Sequence, residues 1–430
     1  MTSILSCGYG RLHLMQSAEW LNKHGVPVWL ICGWVPRRHD GFLVRIASVL
    51  AGRDLSSGMK KRQLRLDDRS RVIPCSFSDF LFQGLCFVDN HLLRARFHEW
   101  IRLATWKLLG FHISRIVKRG TKENLDGIVL HLRSGTGHGG AIKTAKKYGI
   151  PVIVDHSIAH PAFMDSQLAG EYAKNGKRLD IGIKSPFWRL VAEDCEWADV
   201  VLVNSHFVKR TFVDQGFSPE KIKVIYLGVR QDFVGLRKPT GDSGDDSPIR
   251  LLFTGGFGFR KGSEYILEAM KIVMTRTKCP FEMDVVGSYQ ESIGLIEKYR
   301  EQHLPIKFHG PVPQDDLKQF LARSDIYVFP SLAEGCASSG MEAMAAGLCV
   351  VTTEESGLPV EDGNTGCIVP AKNAEAIAER ILALMGNRME IDRLGKNAME
   401  LIRDNYSWEK YAENVAKLYA ELIAGRKKTI

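Results

Sequence analysis

The sequence contains no apolar run of the roughly 18 residues that a membrane-spanning helix needs. Its first residues, MTSILSCGYGRLHLMQ, lack the charged and apolar segments of a signal peptide, so we expect a cytoplasmic protein. The nine cysteines are odd in number, widely scattered and without a CxxC pair. They indicate reduced thiols and argue against a disulfide framework or a zinc site.

A chain of 430 residues is too long for one ordinary hydrophobic core, so the length predicts two domains. The composition, 45% hydrophobic and 25% charged, is typical of a globular protein. The net charge of +9 is carried by the N-terminal half, because the C-terminal half is net negative.

The clearest candidate for a domain boundary is the segment LRKPTGDSGDDSPIR, where Pro, Gly, Asp and Ser replace the apolar pattern of both flanks. We therefore predict an N-terminal domain over 1–235, a linker over 236–249 and a C-terminal domain over 250–405. The remaining stretch, 406–430, has apolar residues at helical spacing, and we expect it to pack back toward the N-terminal domain.

Short aliphatic runs alternate with helical stretches on both sides of this predicted boundary. The candidate strands lie at 26–33, 127–132, 150–156, 199–205 and 222–228, and then at 250–256, 281–288, 306–312, 326–331, 349–354 and 366–370. Continuous apolar strands separated by helices are typical of buried parallel sheets. The sequence thus predicts an α/β protein of two Rossmann-like, doubly wound domains facing a central cleft.

The stretch PSLAEGCASSGMEAMAAGLCVV predicts a strand, a loop and a helix that begins with small residues. Ligands of open α/β sheets bind outside the carboxyl ends of the strands, and a helix N-terminus favours an anion. Glu334 and Glu342, eight residues apart, would then reach hydroxyl groups on the two sides of a phosphate. A sugar nucleotide has that layout. The alternatives are a solvated loop carboxylate for Glu334 and, for Glu342, a capping box closed by Ser339.

The second motif, LLFTGGFGFRKGSEYILEAM, predicts a strand, a glycine-rich loop and a helix. Glycines allow the backbone to approach a phosphate closely, and the adjacent cations Arg260 and Lys261 can neutralise a diphosphate. The alternative is a plain tight turn with two solvated cations.

Four segments resemble, in the same order, the C-terminal domain of the retaining glycosyltransferases of family 4, which have the GT-B fold. They are GGFGFRKG, PSLAEGCASSGMEAMAAGLCVVTT, ESGLPVEDGNTGCIVP and YSWEKYAENVAKLY. The resemblance is weaker in the N-terminal half, where it includes 7–30, 151–157 and 199–229, and residues from about 36 to 125 are unmatched.

The resemblance implies that Glu342 binds the ribose hydroxyls and Glu334 the donor-sugar hydroxyls, while Arg260 and Lys261 hold the diphosphate. It also implies that His156 lies near the donor sugar, with His160 as the alternative. The further positions that it implies are Gly335, Cys336, Ala337, Ser338, Ser339, Gly255, Gly256 and Gly287 on the donor side, Val312 where a backbone group meets the base, and Gly8, Tyr9 and Gly10 in a loop facing the cleft on the acceptor side.

The sequence departs from the family pattern at two places. Many members have Arg where this chain has Gly256, so Arg260 is assigned to the phosphate by its position and chemistry. The segment after Glu334 is usually larger than the Cys336-Ala-Ser-Ser found here, which leaves the donor identity open.

The reaction implied is retaining transfer of a hexose-type sugar from a UDP- or GDP-sugar to an acceptor hydroxyl. The nucleotide sugar is a co-substrate, and neither a cofactor nor a metal is expected, in agreement with the absence of a DxD motif in a suitable loop. The rival interpretations are another GT-B enzyme of sugar nucleotides, an epimerase or a phosphorylase, or, with less support, a basic nucleic-acid-binding protein. No nucleic-acid motif is present, so no nucleic acid is expected as a partner.

The stretch 94–122 mixes eight Lys and Arg residues with aromatic and aliphatic ones, and a second basic run covers 60–71. Such a helix can lie on an anionic membrane surface. It suggests a peripheral enzyme on the cytoplasmic face of the membrane, whose acceptor is a lipid-linked saccharide of surface-polysaccharide biosynthesis. The alternative is a partly buried helix with a solvated basic face.

Overall fold

The fold is taken from a computed structural model, which describes residues 1–9, 13–35, 64, 66–93, 96–123, 125, 127–239 and 247–427. It consists of two α/β domains, each with one fully parallel sheet. Strand order is β3-β2-β1-β4-β5-β6-β7 in the first sheet and β10-β9-β8-β11-β12-β13 in the second. In each sheet the first three strands run outward in one direction, and the fourth strand then lies on the other side of the first, which confirms the predicted doubly wound architecture.

The strands are short and mostly buried, as expected for sheets covered by helices on both faces. Those of the N-terminal sheet are β1 (Thr2–Ser6), β2 (Val28–Cys32), β3 (Arg71–Pro74), β4 (Ile128–Arg133), β5 (Val152–His156), β6 (Val200–Val203) and β7 (Ile222–Val224). Those of the C-terminal sheet are β8 (Ile249–Thr254), β9 (Phe281–Val286), β10 (Ile306–Gly310), β11 (Ile326–Phe329), β12 (Cys349–Thr352) and β13 (Cys367–Ile368).

Fourteen helices are found in the described part of the chain. In the N-terminal half they are α1 (His13–Lys23), α2 (Ser76–Leu92), α3 (His98–Lys122), α4 (Ala141–Lys147), α5 (Pro161–Lys174), α6 (Pro186–Trp197) and α7 (His206–Val213). They continue with α8 (Ser263–Arg276), α9 (Ile293–Lys298), α10 (Gln314–Arg323), α11 (Ser338–Ala346), α12 (Ala374–Met385), α13 (Arg388–Asn405) and α14 (Trp408–Lys427).

Two strands were missing from the sequence-based list. β1 lies in the middle of the N-terminal sheet, between β2 and β4, although three of the five residues of its sequence TSILS are polar. All five of its residues are buried because helices cover both faces of the sheet. β3 extends the same sheet beyond β2. The predicted strand at 222–228 is shorter than expected, since β7 ends at Val224.

The last helix, α14, lies against the N-terminal domain. Its Tyr419 hydroxyl hydrogen-bonds to Ser3 on β1 and to His131 on β4, and Tyr411 hydrogen-bonds to Ser17 on α1. The chain returns to this domain beside its earlier exit, because Val229 forms a parallel backbone bridge with Ser407 and donates its amide to the Tyr406 carbonyl at 2.8 Å.

The residues just before the predicted linker already pack with the C-terminal domain. Phe233 is fully buried in the C-terminal core, and the amides of Gly235 and Arg237 donate to carbonyls of α11. Residues 240–246 of the predicted linker lie outside the described residues.

The basic stretch 94–122 is only partly available to a surface. Leu109 and Ile113 of α3 are fully buried in the N-terminal core, and Trp106 packs edge-on against Tyr9 and Phe187. The expectation that the aromatic and aliphatic residues of this stretch face a membrane together is therefore wrong for these three. Residues 94–95 and most of the run 60–71 lie outside the described residues. None of the described helices is both long and apolar enough to cross a bilayer.

Candidate functional site

The glycine-rich motif forms a turn at the carboxyl end of β8, as the sequence predicts. A short 3-10 turn, Phe259–Lys261, follows the glycines and places Arg260 and Lys261 directly before α8. This turn lies against the loop after β11, because the Arg260 carbonyl accepts the amide of Leu332 at 2.8 Å. The two motifs singled out in the sequence thus meet in space.

The two cations and Glu334 form one cluster. The Arg260 guanidinium lies 2.6 Å from the Glu334 carboxylate and also donates to the Ala333 carbonyl at 2.8 Å. Lys261 Nζ lies 3.6 Å from the same carboxylate oxygen. All three side chains are largely but not fully buried. In the absence of a ligand, the acid and the cations neutralise one another.

Burial lowers the pKa of the Lys261 ammonium, and the neighbouring Arg260 lowers it further, whereas Glu334 raises it. The ammonium also lies 5.2 Å from the centre of the Phe329 ring, at the end of β11. Since the charged form is disfavoured by desolvation, an added anion at this point would be stabilising.

Gly255 and Gly287 end adjacent strands, and their backbones touch. A Cβ added to Gly287 would lie 2.0 Å from the Gly255 carbonyl oxygen, and the positive φ of both residues, +135° and +113°, suits only glycine. Gly256 has open space at its Cβ position. The loops after β8 and β9 therefore form a tight pair beside Lys261, whose Nζ lies 2.8 Å from the Cβ position of Gly255.

The helix between the two glutamates begins at Ser338, with Ala337 as its N-cap. No side chain caps this helix, and the Ser339 hydroxyl instead accepts a hydrogen bond from Tyr327 at 2.9 Å. The capping-box interpretation of Ser339 and Glu342 is therefore wrong. The amides of Ser338 and Ser339 have no acceptor among the described residues, which agrees with the predicted phosphate site at the start of this helix.

Glu342 lies in a cavity of about 350 Å³ between the two domains. Burial raises the pKa of its carboxyl group to about 7, partly offset by Arg230. Within the described part of the chain, no hydrogen bond or ion pair to this carboxylate is found. A half-buried acid that has no partner among the described residues is suited to receive hydroxyl groups from a ligand.

The cavity has contributions from both domains and from the segments that connect them. It is lined by His13, Gln16, Leu227, Gly228, Val229, Arg230, Gln314, Cys336, Ser338, Met341, Glu342 and Trp408. Three of the predicted donor-side residues, Cys336, Ser338 and Glu342, are among them.

The other small residues after Glu334 hold the domains together. A Cβ on Gly335 would lie 1.9 Å from the Ser157 carbonyl oxygen of the N-terminal domain. Ser205, which also belongs to the N-terminal domain, donates a hydrogen bond from its hydroxyl group to the Gly335 carbonyl at 2.5 Å. Ala337 is buried, and burial raises the pKa of the Cys336 thiol. Gly335 is therefore placed at the contact between the domains.

Both candidate histidines are buried in the N-terminal domain. His156 is 1% exposed, and its ring nitrogens contact the Ser134 hydroxyl at 3.0 Å and the Ala159 carbonyl at 3.5 Å. Burial lowers the pKa of His156 to about 3 and that of His160 to about 4, so both rings are neutral at pH 7. His160 caps α5 by accepting the Ala162 amide.

The loop predicted on the acceptor side is fixed by contacts within the N-terminal domain. Gly8 has a φ of +73°, and the Tyr9 hydroxyl donates to the Thr105 carbonyl at 2.5 Å, so the Tyr9 ring points into the domain. Gly10 lies outside the described residues. Val312 is half-buried on the C-terminal core and is absent from the cavity lining, whereas Gln314 belongs to it.

Sequence reasoning missed the cavity residues that the other segments contribute. His13 begins α1 and hydrogen-bonds to the buried Asp155 at 2.9 Å. Together, His13 and His131 hold the pKa of the Asp155 carboxyl group far below its usual range. Arg230 donates to Gln314 at 2.9 Å, which connects the crossing segment to α10. In the sequence, the only indication that one of these residues belongs to the site was the position of His13 just after the Gly8–Gly10 loop.

The comparisons with known proteins agree with this geometry. A family model described as Glycosyltransferase Family 4 matches residues 11–233, and a second, described as Glycosyl transferases group 1, matches residues 248–387. The first alone spans more than half of the chain. The chain therefore belongs to glycosyltransferase family 4.

Among curated relatives, the amylovoran biosynthesis glycosyltransferase AmsK of Erwinia amylovora is 28% identical over 218 residues, which cover 48% of this chain and 52% of that protein. The D-inositol 3-phosphate glycosyltransferase of Streptomyces bingchenggensis is 28% identical over 257 residues, 55% of this chain and 53% of its own. The chain thus spans about half the length of the curated relatives that it matches.

Solved structures share the whole fold. The sucrose-phosphate synthase of Thermosynechococcus elongatus superposes with a TM-score of 0.65 at 17% identity, covering 99% of this chain and 100% of that one. Anabaena HepE in complex with UDP-glucose superposes with a TM-score of 0.62 at 13% identity, covering 98% and 100%. The fold is accordingly GT-B, as predicted.

Proposed function

We propose that this protein is a retaining hexosyltransferase that uses a nucleoside-diphosphate sugar, with UDP or GDP as the nucleotide, and transfers the sugar to an acceptor hydroxyl. The observation that carries this proposal is the half-buried carboxylate of Glu342 in the cavity between the domains, which has no hydrogen-bond or ion-pair partner among the described residues. The uncapped start of α11 and the cluster of Arg260, Lys261 and Glu334 supply the further groups that a sugar diphosphate needs.

The donor would lie along the start of α11. Glu342 would accept hydrogen bonds from the two ribose hydroxyls, and the first amides of the helix would receive the diphosphate. Arg260 and Lys261 would bind the diphosphate from the other side. Glu334 would then be released from its pair with Arg260 and would be free to bind hydroxyls of the donor sugar.

Bond cleavage moves the electrons of the glycosidic bond onto the departing diphosphate. Arg260, Lys261 and the helix start are cationic or positively polarised, so they would stabilise the charge that grows there. The acceptor oxygen would attack the same face from which the diphosphate leaves, and the diphosphate would take its proton, which gives retention. The residues named need no metal for these roles.

His156 would have a positioning role and would not take part in bond making or breaking. Its ring is neutral and packed against Phe212, with ring centres 5.1 Å apart, while the next residue, Ser157, meets Gly335 across the domain contact. The ring would therefore fix the end of β5 against the donor loop. His160, which caps α5, would support the same segment.

The acceptor would enter from the N-terminal domain, beside the loop of Gly8 and Tyr9. We propose a lipid-linked saccharide of surface-polysaccharide biosynthesis and a peripheral, cytoplasmic location. The names of relatives such as AmsK, an amylovoran biosynthesis glycosyltransferase, support this class of acceptor. The basic N-terminal half supports attachment to an anionic membrane.

The test is a thermal-shift screen of nucleotide sugars, followed by isothermal titration. We expect one UDP- or GDP-sugar to raise the melting temperature at concentrations well above its Kd. Glu342→Gln should weaken the binding of that ligand. If the chain binds no nucleotide sugar, or if Glu342→Gln binds the ligand as tightly as the parent, the assignment of this cavity to the donor is wrong.

A further inference from the structure

Helix α2 (Ser76–Leu92) buries a mostly polar side, whereas an ordinary surface helix buries an apolar one. Its buried residues are Ser78, Asp79, Cys86 and Asp89, most of which are polar. Asp79 accepts the Trp34 amide at 2.7 Å, and Asp89 accepts the Phe97 amide at 2.9 Å. These hydrogen bonds tie both buried carboxylates to backbone amides and fix which side of α2 faces the domain, although the second oxygen of Asp89 has no hydrogen-bond partner among the described residues.

The opposite side, which we call the outer α2 face, is apolar. It consists of Phe77, Phe80, Leu81, Leu85, Phe87, Val88 and Leu92, all of them exposed. Their spacing follows the helical repeat, so they form a continuous stripe. No exposed position of α2 carries Lys, Arg, Asp or Glu. An uncharged apolar surface of this kind marks an interaction site.

The neighbouring helix α3 adds further apolar residues and a set of cations. Leu93, Phe97, Trp100 and Phe111 are exposed beside or on α3. The exposed cations of its outer side are Lys107, Arg115, Lys118 and Lys122.

These four α3 cations have no acidic partner among the described residues. In the part of the chain that the structure describes, no ion pair is found for Lys107, Arg115, Lys118 or Lys122. The only acid within α3, Glu99, is hydrogen-bonded to the Ser185 hydroxyl. Unpaired cations beside an apolar stripe complement a surface that is anionic outside and hydrocarbon inside.

We propose that the outer α2 face inserts into an anionic lipid bilayer at the boundary between head groups and acyl chains, with the α3 cations on the lipid phosphates. This inference deepens the peripheral location proposed above by naming the surface that contacts the bilayer, and its use for a lipid-linked acceptor rests on the proposed function. It also differs from the sequence-based hypothesis, since α2 contains no Lys or Arg.

The inner side of α2 connects this surface to the cleft. Phe82 stacks on Tyr9, with ring centres 5.3 Å apart, and Tyr9 in turn is hydrogen-bonded to Thr105 of α3. The loop of Gly8 and Tyr9 is thus held by the two helices that would contact the membrane. An acceptor anchored in the bilayer would be presented at this loop.

The test is co-sedimentation of the full chain with vesicles of phosphatidylcholine alone or mixed with phosphatidylglycerol. The test variant is Phe77→Glu combined with Leu92→Glu, at positions that are 72% and 75% exposed. The matched control is Met389→Glu on α13 of the other domain, at a position that is 60% exposed. Because these side chains project into solvent, all variants should melt like the parent.

We expect the parent and Met389→Glu to bind the mixed vesicles and the double variant to bind them at least about tenfold more weakly, since two apolar anchors are lost. Lys107→Glu with Arg115→Glu should weaken binding to the anionic vesicles in the same assay.

Three outcomes would overturn the proposal. They are a parent that does not sediment with anionic vesicles, a double variant that sediments as well as the parent, and a double variant that loses a dimer in analytical ultracentrifugation, which would make the face a contact between copies of the chain. Nucleotide binding, measured in parallel by titration with UDP and GDP, separates the two proposals. Loss of vesicle binding with nucleotide binding intact contradicts only the membrane surface, and the reverse contradicts only the donor site.

Discussion

The Arg260 guanidinium lies 2.6 Å from the Glu334 carboxylate, so the two groups proposed to bind different parts of the donor are paired with each other in the ligand-free protein. Lys261 shares the same carboxylate oxygen at 3.6 Å. Under the proposed function, donor binding would exchange partners, with the diphosphate replacing Glu334 on the cations.

Glu334→Gln should separate nucleotide binding from transfer. The substitution removes the charge that competes with the diphosphate for Arg260, so the Kd for free UDP or GDP should be equal to or lower than that of the parent. The transfer rate should fall about 100-fold, because a donor-sugar contact is lost. Titration calorimetry and initial rates measure the two quantities. A parallel loss of nucleotide affinity would contradict the exchange of partners.

Lys261→Ala should lower the transfer rate by about 100-fold to 1,000-fold, because the ammonium stabilises charge on the leaving diphosphate. The fold should persist, since the charged side chain is already disfavoured by burial in the ligand-free protein. The matched control is Lys278→Ala, at an exposed lysine of the same domain. Initial rates and melting curves of both variants decide the matter, and a Lys261→Ala enzyme with parental rates would refute the role.

Glu342 predicts a pH dependence of donor binding. The pKa of its carboxyl group is raised to about 7 by burial, so the carboxylate that accepts ribose hydroxyls forms only as the pH rises through that value. The donor Kd should thus increase as the pH falls from 8 to 6 on the order of tenfold. Glu342→Gln should bind weakly at every pH. Titrations at several pH values test this, and an equal pH dependence in both proteins would contradict it.

The same raised pKa predicts that Glu342 destabilises the ligand-free fold at high pH. The unfolded carboxyl group ionises near 4.5 and the folded one near 7, so the cost is absent below 4.5, grows between these values and is complete above 7. Glu342→Gln should raise the free energy of unfolding by up to about 3 kcal/mol at pH 8 and hardly at all at pH 4.5. Denaturant titrations at both pH values measure this difference. An equal change at both pH values would contradict the raised pKa.

Gly335→Ala should disturb the approach of the two domains. The added Cβ would lie 1.9 Å from the Ser157 carbonyl oxygen, and a shift of about 1 Å at an active site can reduce the rate about 100-fold. The control is Gly294→Ala in α9, where the Cβ position is open. Steady-state kinetics compares the two. A Gly335→Ala enzyme with parental kcat would show that this contact is not needed for catalysis.

The sequence was sufficient to predict the type of fold, because continuous apolar strands separated by helices allow few arrangements other than doubly wound sheets. It failed at β1 and β3. Three of the five residues of β1, TSILS, are polar, yet all five are buried in the middle of a sheet. Burial on both faces is decided by the helices that cover the sheet, and a local pattern does not contain that information.

The sequence also located the motifs that meet at the site. The βα turn with Arg260 and Lys261 and the loop with Glu334 were both predicted at the carboxyl ends of strands, and parallel strands bring such ends to one edge. It could not distinguish a capping box from a free carboxylate at Glu342. The choice depended on where the helix begins, since the N-cap of α11 is Ala337, two residues before Ser339, and the Ser339 hydroxyl is engaged by Tyr327.

The residues that only the tertiary structure brought together lie far apart in the chain. His13, Arg230, Gln314 and Trp408 line one cavity with Glu342 because the chain crosses between the domains twice at nearly the same place. Likewise, the outer α2 face became visible only when the buried side of that helix was known to be polar. By itself the sequence determined the two sheets and the chemistry at their edges, through short-range patterns. The packing of the domains decided which side chains share the cavity and which face remains open, because contacts distant in sequence leave no periodic signal.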